Sequence, residues 1–234
     1  MHRPLTRRQR FMRAIMRMKN LRAYYPTGEV EGTVARNYAR ATIGTLNGTI
    51  AGATLAQSAK YGLAYSLDGV NDKVTCGLWS SATTNIVMGA IFKSNDYTKN
   101  GQTIMSNGIG TNGTGRGYSI VLSGNATTDG SLMLLDHSVK WLDTTYNIQD
   151  NNPHFIMLVL NSAGNPTVYV DGVSVYSPGS NTFATPNGNG SLIGEGGDLS
   201  FPRWAKGTIQ DVFLANQTPA ATDIKELTNI LGFT

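Results

Sequence analysis

Short apolar segments separated by turn-forming residues follow one another along most of the chain. Examples are residues 73–76, 85–93 and 154–160, in which β-branched and aromatic residues are concentrated. Such segments recur without helical segments between them, a spacing that favours antiparallel sheets over alternating strands and helices. The pattern therefore predicts an all-β fold, a two-sheet antiparallel jelly-roll sandwich. The other predicted strands are residues 21–26, 62–67, 103–106, 118–122, 131–136, 167–170, 173–176, 191–193 and 208–214.

A different pattern predicts a helix within residues 1–20. Thr6 is followed three residues later by Gln9, which is the spacing of a capping box. Beyond it, Phe11 and Ile15 fall on one side of a helix, whereas arginines fall on another. The predicted domains are therefore a short basic amphipathic arm, residues 1–20, and a β-sandwich, residues 21–234. A second short helix is predicted over residues 220–231, near the C-terminus, with Gly232 after it.

Composition agrees with a β fold, and the charge is unevenly divided. The chain has 234 residues, 27 of them glycine, and only 15% are charged, which suits many tight turns. Of the 19 lysines and arginines, eight lie in residues 1–22, which contain no acid. The remaining residues carry 11 bases against 15 acids, a net charge of −4. The body is therefore mildly acidic, and a body built to bind nucleic acid is excluded.

Several classes of protein are disfavoured by what the sequence lacks. A single cysteine, Cys76, excludes an internal disulfide framework and a cysteine-rich zinc site. There is no apolar run of the length that spans a membrane. Arginines interrupt the apolar stretch that a secretory signal would need. We therefore expect synthesis in the cytoplasm without a signal peptide.

Four groups of segments occur in an order typical of one family. They are LRAYYPTGE at 21–29; NGT at 47–49 with YSLDGVNDKV at 65–74; HFIMLVL at 154–160 with PTVYVDGV at 166–173; and KGTIQDVFL at 206–214 with the closing helix. Together they resemble the laminin-G-like family of the concanavalin A-like lectin and glucanase superfamily. The resemblance implies the fold over residues 21–234 but no single function, because this fold serves lectins, adhesion modules, glycosidases and viral surface proteins.

One candidate site is a calcium site. Asp68, Asn71 and Asp72 lie in a tight turn rich in oxygen ligands, which Ca²⁺ prefers. The resemblance implies a further ligand from the strand at 206–214, where Gln210 replaces the first of two acids and leaves Asp211. The alternative is that Asp68 and Asn71 only hydrogen-bond to the backbone of their own turn.

A second candidate site would bind carbohydrate, which the resemblance leads us to expect. Trp141 and Trp204 lie beside turn-like segments and would stack on sugars, with Arg203 as a hydrogen-bonding neighbour; the alternative is that both rings are packed in the interior. Hydrolysis would need two carboxylates a fixed distance apart. The Glu-x-Asp-x-Glu strand of glucanases of this fold is absent, and the candidate pair that remains is Glu195 with Asp198. The chain is therefore predicted not to be an enzyme.

The basic arm suggests a partner. It would bind nucleic acid, an anionic membrane or an acidic groove on another protein, and we favour the protein groove. The leading hypothesis is a structural protein of a virus or phage particle, displayed on its surface for capsid decoration or host adhesion, with oligomers possible. The alternatives are a free glycan-binding lectin and, less favoured, a polysaccharide-active hydrolase. The expected anchor residues are Arg7, Arg8, Arg10, Phe11, Arg13, Ile15 and Arg17.

Overall fold

Two antiparallel β-sheets packed face to face form the body of the molecule, as the sequence predicts. A computed structural model describes residues 4–94, 96, 101–109, 117–123, 130–137, 140–181, 183–196 and 203–233. The strands of sheet A are β1 (Leu21–Tyr25), β4 (Thr54–Ala59), β5 (Gly62–Asp68), β7 (Ile86–Lys93), β12 (His154–Leu160), β13 (Pro166–Val170), β14 (Val173–Tyr176) and β16 (Lys206–Ala215). They run in the order β14-β13-β12-β7-β16-β5-β4, and β1 pairs with the end of β16.

Sheet B lies across the core from sheet A. Its strands are β2 (Val34–Ala35), β3 (Gly48–Ala51), β6 (Lys73–Cys76), β8 (Gln102–Asn107), β9 (Tyr118–Leu122), β10 (Ser131–Asp136), β11 (Lys140–Asn147) and β15 (Ser191–Ile193). They run in the order β11-β10-β9-β8-β15-β6-β3-β2. One 3₁₀ turn, Arg40–Thr42, follows β2.

The core of the sandwich is formed by alternate residues of both sheets. Met88 and Leu158 of sheet A and Ile120 and Leu134 of sheet B belong to one buried cluster between the sheets. The neighbours of Met88 and Leu158 in β7 and β12 point the other way and are buried as well. Sheet A is therefore covered on both faces, which explains why these two strands are continuous apolar runs rather than alternating ones.

Two helices cover the outer face of sheet A. Helix α1 (Arg7–Met16) begins with the predicted capping box, in which the side chains of Thr6 and Gln9 each accept a hydrogen bond from the other residue's backbone N–H. Helix α2 (Ala221–Leu231) ends at Gly232, whose φ of +76° is the left-handed conformation that glycine adopts readily. Neither helix in the described part of the chain is long and apolar enough to cross a lipid bilayer.

The expected anchoring role of the arm is corrected by the packing of α1. The side chains of Phe11 and Ile15 are 0% exposed and share a cluster with Phe155, Phe213 and the apolar side of α2. The ring of Phe11 meets that of Phe155 edge to face at 5.3 Å between centroids. The apolar stripe is therefore buried against its own sandwich, because the outer face of sheet A is itself apolar and needs a cover. It is not available to another protein.

The turn between β13 and β14 holds His154 in place. Asp171 and Gly172 have φ values of +51° and +84°, as a two-residue hairpin of this kind requires. The carboxylate of Asp171 accepts a hydrogen bond from the backbone N–H of Phe155 at 2.8 Å and lies 2.7 Å from Nδ1 of His154. Asp150 lies 3.0 Å from the other ring nitrogen. His154 therefore ties the hairpin to the start of β12.

The pH dependence of stability should reveal this link. Burial lowers the pKa of His154, but the hydrogen bonds and charges of Asp171 and Asp150 outweigh it and raise the pKa overall. Because the folded pKa is the higher one, the stabilisation is complete below the unfolded value of about 6.5 and is lost as the pH rises through the folded pKa. We expect His154→Gln to lower the melting temperature more at pH 6 than at pH 8.5. An equal loss at both pH values would contradict a charged His154.

Candidate functional site

The outer face of sheet B carries the first of the two predicted tryptophans. Trp141 lies on β11 opposite Leu135 of β10, and Leu135 lies opposite Ser119 of β9. Their neighbours Leu134 and Ile120 point into the core between the sheets. Since side chains alternate along a strand, Trp141 points away from the core, where its ring is partly exposed.

Trp204 reaches the same face from a different segment. The backbone N–H of Thr103 in β8 donates to the carbonyl oxygen of Arg203 at 3.0 Å, and that of Ala205 donates to Gly194 at 2.9 Å. The side chain of Ala205 belongs to the core, so the ring of Trp204 is directed outward. Lys73, which also points outward from β6, places its Nζ 5.2 Å from the centroid of that ring. Trp204 is likewise partly exposed.

Arg203 connects the two rings. Its guanidinium carbon lies 4.9 Å from the centroid of the Trp141 ring, a cation–π contact. Arg203 pairs with β8, and Trp141 is on β11, three strands away or about 14 Å at the usual strand spacing. The two side chains therefore span the face together. The outward residues of the strands between them, Val121 and Met133, are buried.

An ion pair completes the arrangement, which we call the tryptophan site: Lys73, Trp141, Glu195, Arg203 and Trp204. The Nζ atom of Lys73 lies 2.8 Å from a carboxylate oxygen of Glu195, whose side chain is 3% exposed. Glu195 thus fixes Lys73 over Trp204, and Arg203 lies over Trp141. Each ring has one cation above it, so its orientation is set before any ligand arrives.

Part of this site is predictable from the sequence. Trp141, Arg203 and Trp204 are predicted ligand-binding residues, and the structure brings them to one face. Glu195 is predicted only as an acid for hydrolysis, together with Asp198, which lies outside the described residues. Lys73 is not predicted, because nothing in the sequence around a single lysine on a strand shows that a distant tryptophan lies beneath it.

The four predicted calcium ligands are not brought together. Asp68, Asn71 and Asp72 share one turn, where Asp68 accepts hydrogen bonds from the backbone of Val70 and Asn71 and Asp72 accepts one from the backbone of Asp68. Asp211 lies elsewhere, on the outer side of sheet A. Within the described ranges, no group of three or more His, Cys, Asp or Glu residues is placed to hold a metal ion. Calcium binding by the turn alone stays a prediction.

Asp211 belongs to a buried cluster beneath α1. Its carboxylate accepts a hydrogen bond from the hydroxyl of Tyr24 at 2.7 Å and lies 3.6 Å from Nε of Arg8. Burial raises the pKa of Asp211 to about 6, although Arg8 and Tyr24 act in the opposite direction. Arg8 also donates to the carbonyl oxygen of Pro26. Arg8, an expected anchor residue, and Asp211, a predicted calcium ligand, thus hold α1 to β16 and β1.

A cleft of about 900 Å³ lies between α1 and the loop that follows β1. It is lined in part by Arg8, Glu29, Glu31 and Tyr38. The two oxygens of Glu29 are engaged, one by the backbone N–H of Arg36 and the other by the hydroxyl of Tyr65. Glu31 is exposed. Although the cleft is larger than the hollows around α2, its charged groups are committed to internal bonds or lie in solvent, so we favour the tryptophan site.

No model of a protein family matches this chain, and no curated protein matches it either. Solved structures share its fold at low sequence identity. A sialidase of Trypanosoma rangeli, solved with a difluorosialic acid as a covalent intermediate, has a TM-score of 0.68 and 16% identity over 91% of this chain and 33% of its own. This chain thus spans about a third of the sialidase.

Two further structures match as domains. Domain 4 of AbnA, an extracellular GH43 arabinanase of Geobacillus stearothermophilus solved with arabinotriose, has a TM-score of 0.67 and 19% identity over 89% of this chain and 98% of its own. The binding domain of Paraclostridial Mosquitocidal Protein 1 has a TM-score of 0.63 and 14% identity, covering 90% of this chain and 52% of that chain. At these identities the comparisons show a shared β-sandwich fold.

The hypothesis of a virus-particle display protein is corrected by these findings. The apolar stripe of its expected anchor, Phe11 and Ile15, is buried within the chain, and the three solved structures described above are a sialidase, an arabinanase domain and the binding domain of a mosquitocidal protein rather than particle components. The predicted β-sandwich is confirmed, whereas the prediction that the basic arm is a free anchor is wrong. That error arose because a basic amphipathic pattern looks the same whether its apolar side faces a partner or its own sheet.

Proposed function

We propose that this chain is a non-enzymatic carbohydrate-binding module that holds a glycan chain on the outer face of sheet B. The observation that carries the proposal is the pair of partly exposed tryptophans on that face, Trp141 and Trp204, each with a cation over its ring. The CH groups on one side of a sugar ring pack against an aromatic ring and lose contact with water, which favours binding. Two rings on one face would contact two sugar units of one chain.

Polar groups beside the rings support the same proposal. Arg203 and Lys73 offer N–H donors to sugar hydroxyls, and Asp143, exposed two residues after Trp141 on β11, offers an acceptor. A few directed hydrogen bonds next to apolar rings are what a small-molecule site needs for orientation. The AbnA domain, 98% of which is covered and which was solved with arabinotriose, supports a carbohydrate ligand for a sandwich of this kind.

The non-enzymatic part of the proposal rests on the acids near the rings. Hydrolysis of a glycosidic bond needs a carboxylic acid and a carboxylate at a fixed separation. The carboxylate of Glu195 is engaged by Lys73 at 2.8 Å and is almost fully buried, so it is committed to holding Lys73. We expect no release of reducing ends from arabinan, xylan or glucan by the purified chain. Turnover that disappears in Glu195→Gln would overturn this part.

The test is calorimetric titration with neutral oligosaccharides, beginning with arabinotriose, after a glycan array has selected the best ligand. Trp141→Ala and Trp204→Ala should each weaken binding about tenfold or more, because each removes one stacking surface. Tyr146→Ala is the matched control, since Tyr146 is an aromatic on the same strand with 40% of its surface exposed. It should leave binding unchanged. Glycan binding that is unchanged when Trp141→Ala and Trp204→Ala are combined would contradict the proposal.

A further inference from the structure

A row of four cations lies on the side of the molecule opposite the tryptophan site. Arg10, Arg13 and Arg17 of α1 and Lys19 just after it are exposed, and α1 covers the outer face of sheet A, whereas the tryptophans lie outside sheet B. Arg10 and Arg17 are two helical turns apart, about 10 Å along the axis. We call these four residues the basic stripe.

The stripe differs from the other bases in the same part of the chain, which have structural partners. Arg8 pairs with Asp211, Arg7 lies against Gly232 at the end of α2, and Nε of Arg22 donates to the carbonyl oxygen of Trp79. None of the five ion pairs among the described residues includes a member of the stripe. Asp223 and Glu226 of α2 line a hollow with Arg17 and Lys19, but among the described residues neither acid forms an ion pair with them.

The placement of these charges opposes helix stability. Arg13 and Arg17 are four residues apart and Arg10 and Arg13 are three apart, so like charges are neighbours on the helix surface. The helix dipole offsets this only in part: it favours the positive charge of Arg13 in the last turn, but not that of Arg10 nearer the N-terminus. A surface that only needed to be solvated would gain stability from mixed charges. The unmixed stripe therefore indicates a negatively charged ligand.

We propose that the basic stripe binds an acidic polysaccharide, a flexible chain carrying carboxylate or sulfate groups. Guanidinium groups form bidentate hydrogen bonds with such oxyanions. A single flexible polymer can follow the exposed side of α1 and bend away from the hollow that Arg17 and Lys19 share with Asp223 and Glu226 of α2. A flat anionic membrane would also meet Asp223 and Glu226, which are exposed on the adjacent helix α2. No aromatic side chain of α1 is exposed for stacking on bases, so single-stranded nucleic acid has less to bind.

The test compares two double variants that each remove two positive charges. Arg10→Gln with Arg13→Gln should weaken binding to polygalacturonate and to dextran sulfate about tenfold at low salt. Arg36→Gln with Arg40→Gln is the matched control, because both arginines are exposed outside the stripe; it should have little effect. Binding by the unaltered chain should fall steeply as salt rises, and neutral dextran should not bind.

Further measurements separate the outcomes. Neutral-glycan binding at the tryptophan site should be the same in both double variants, and neither should lower the melting temperature, so a failure here is distinguishable from a failure of the proposed function. Equal weakening by the two variants would show that only net charge matters and would overturn the proposal. So would tighter binding to an oligothymidine or to phosphatidylserine vesicles than to the two acidic polysaccharides, since the ligand would then belong to another class.

Discussion

Replacing Phe11 by alanine is expected to lower the free energy of unfolding by about 3–5 kcal/mol, a large loss for one side chain. The ring is 0% exposed and lies between α2 and the outer face of sheet A, where it meets Phe155 edge to face. Its removal leaves a cavity that the neighbouring rings cannot close without moving the helix. Urea denaturation followed by tryptophan fluorescence measures the change.

Met16→Ala is the control for that measurement. Met16 lies on the same helix, but 38% of its surface is exposed, so its loss should cost little. If both substitutions have the same small effect, α1 does not form part of the folded core, and the free-arm interpretation of residues 1–20 would return.

Replacing Arg8 by methionine should destabilise the protein by about 3 kcal/mol at pH 8, because it leaves Asp211 charged and buried without its cation. The loss should be much smaller at pH 4.5. Burial raises the pKa of Asp211 to about 6 in the folded state, whereas an unfolded aspartate has a pKa of about 3.9. Without Arg8 the folded pKa should rise further.

The direction in which stability changes with pH follows from proton binding to Asp211. Between about pH 4 and pH 6 the folded chain holds a proton on Asp211 that the unfolded chain does not, so lowering the pH through this range stabilises the folded state. Above about pH 6, Asp211 is charged in the folded state, and the full cost of burying that charge is present. Denaturation curves at pH 4.5 and 8 test this. Adding Asp211→Asn to Arg8→Met should remove the difference between the two pH values, and a difference that persists would place the titrating group elsewhere.

Much of the fold is predictable because its central strands carry strong local signals. Strands such as β9 and β12 are apolar, rich in β-branched and aromatic residues and bounded by turns, and they begin and end where the sequence predicts. Strands β2, β3, β4 and β11 are not predicted by the sequence. They lie at or next to an end of their sheets, and their short or polar sequences acquire strand structure by pairing with neighbouring strands, a contact that no local pattern shows.

The candidate site is predictable only in its parts. Trp141 and Arg203 are 62 positions apart, and the contact between them depends on the order of β8, β9, β10 and β11 in sheet B. The ion pair of Lys73 with Glu195 depends on the pairing of β6 with β15 in the same way. The sequence can indicate that an exposed tryptophan binds sugar, but register and strand order decide which cations lie beside it.

The side-by-side packing of α1 and α2 has a consequence for folding during synthesis. Phe11 and Ile15 leave the ribosome well before Ile224, Leu227 and Leu231, which complete their cluster. The apolar outer face of sheet A must therefore stay uncovered by α2 while more than 200 residues are added between the two helices. A nascent chain of this protein would be prone to aggregation until α2 packs over that face.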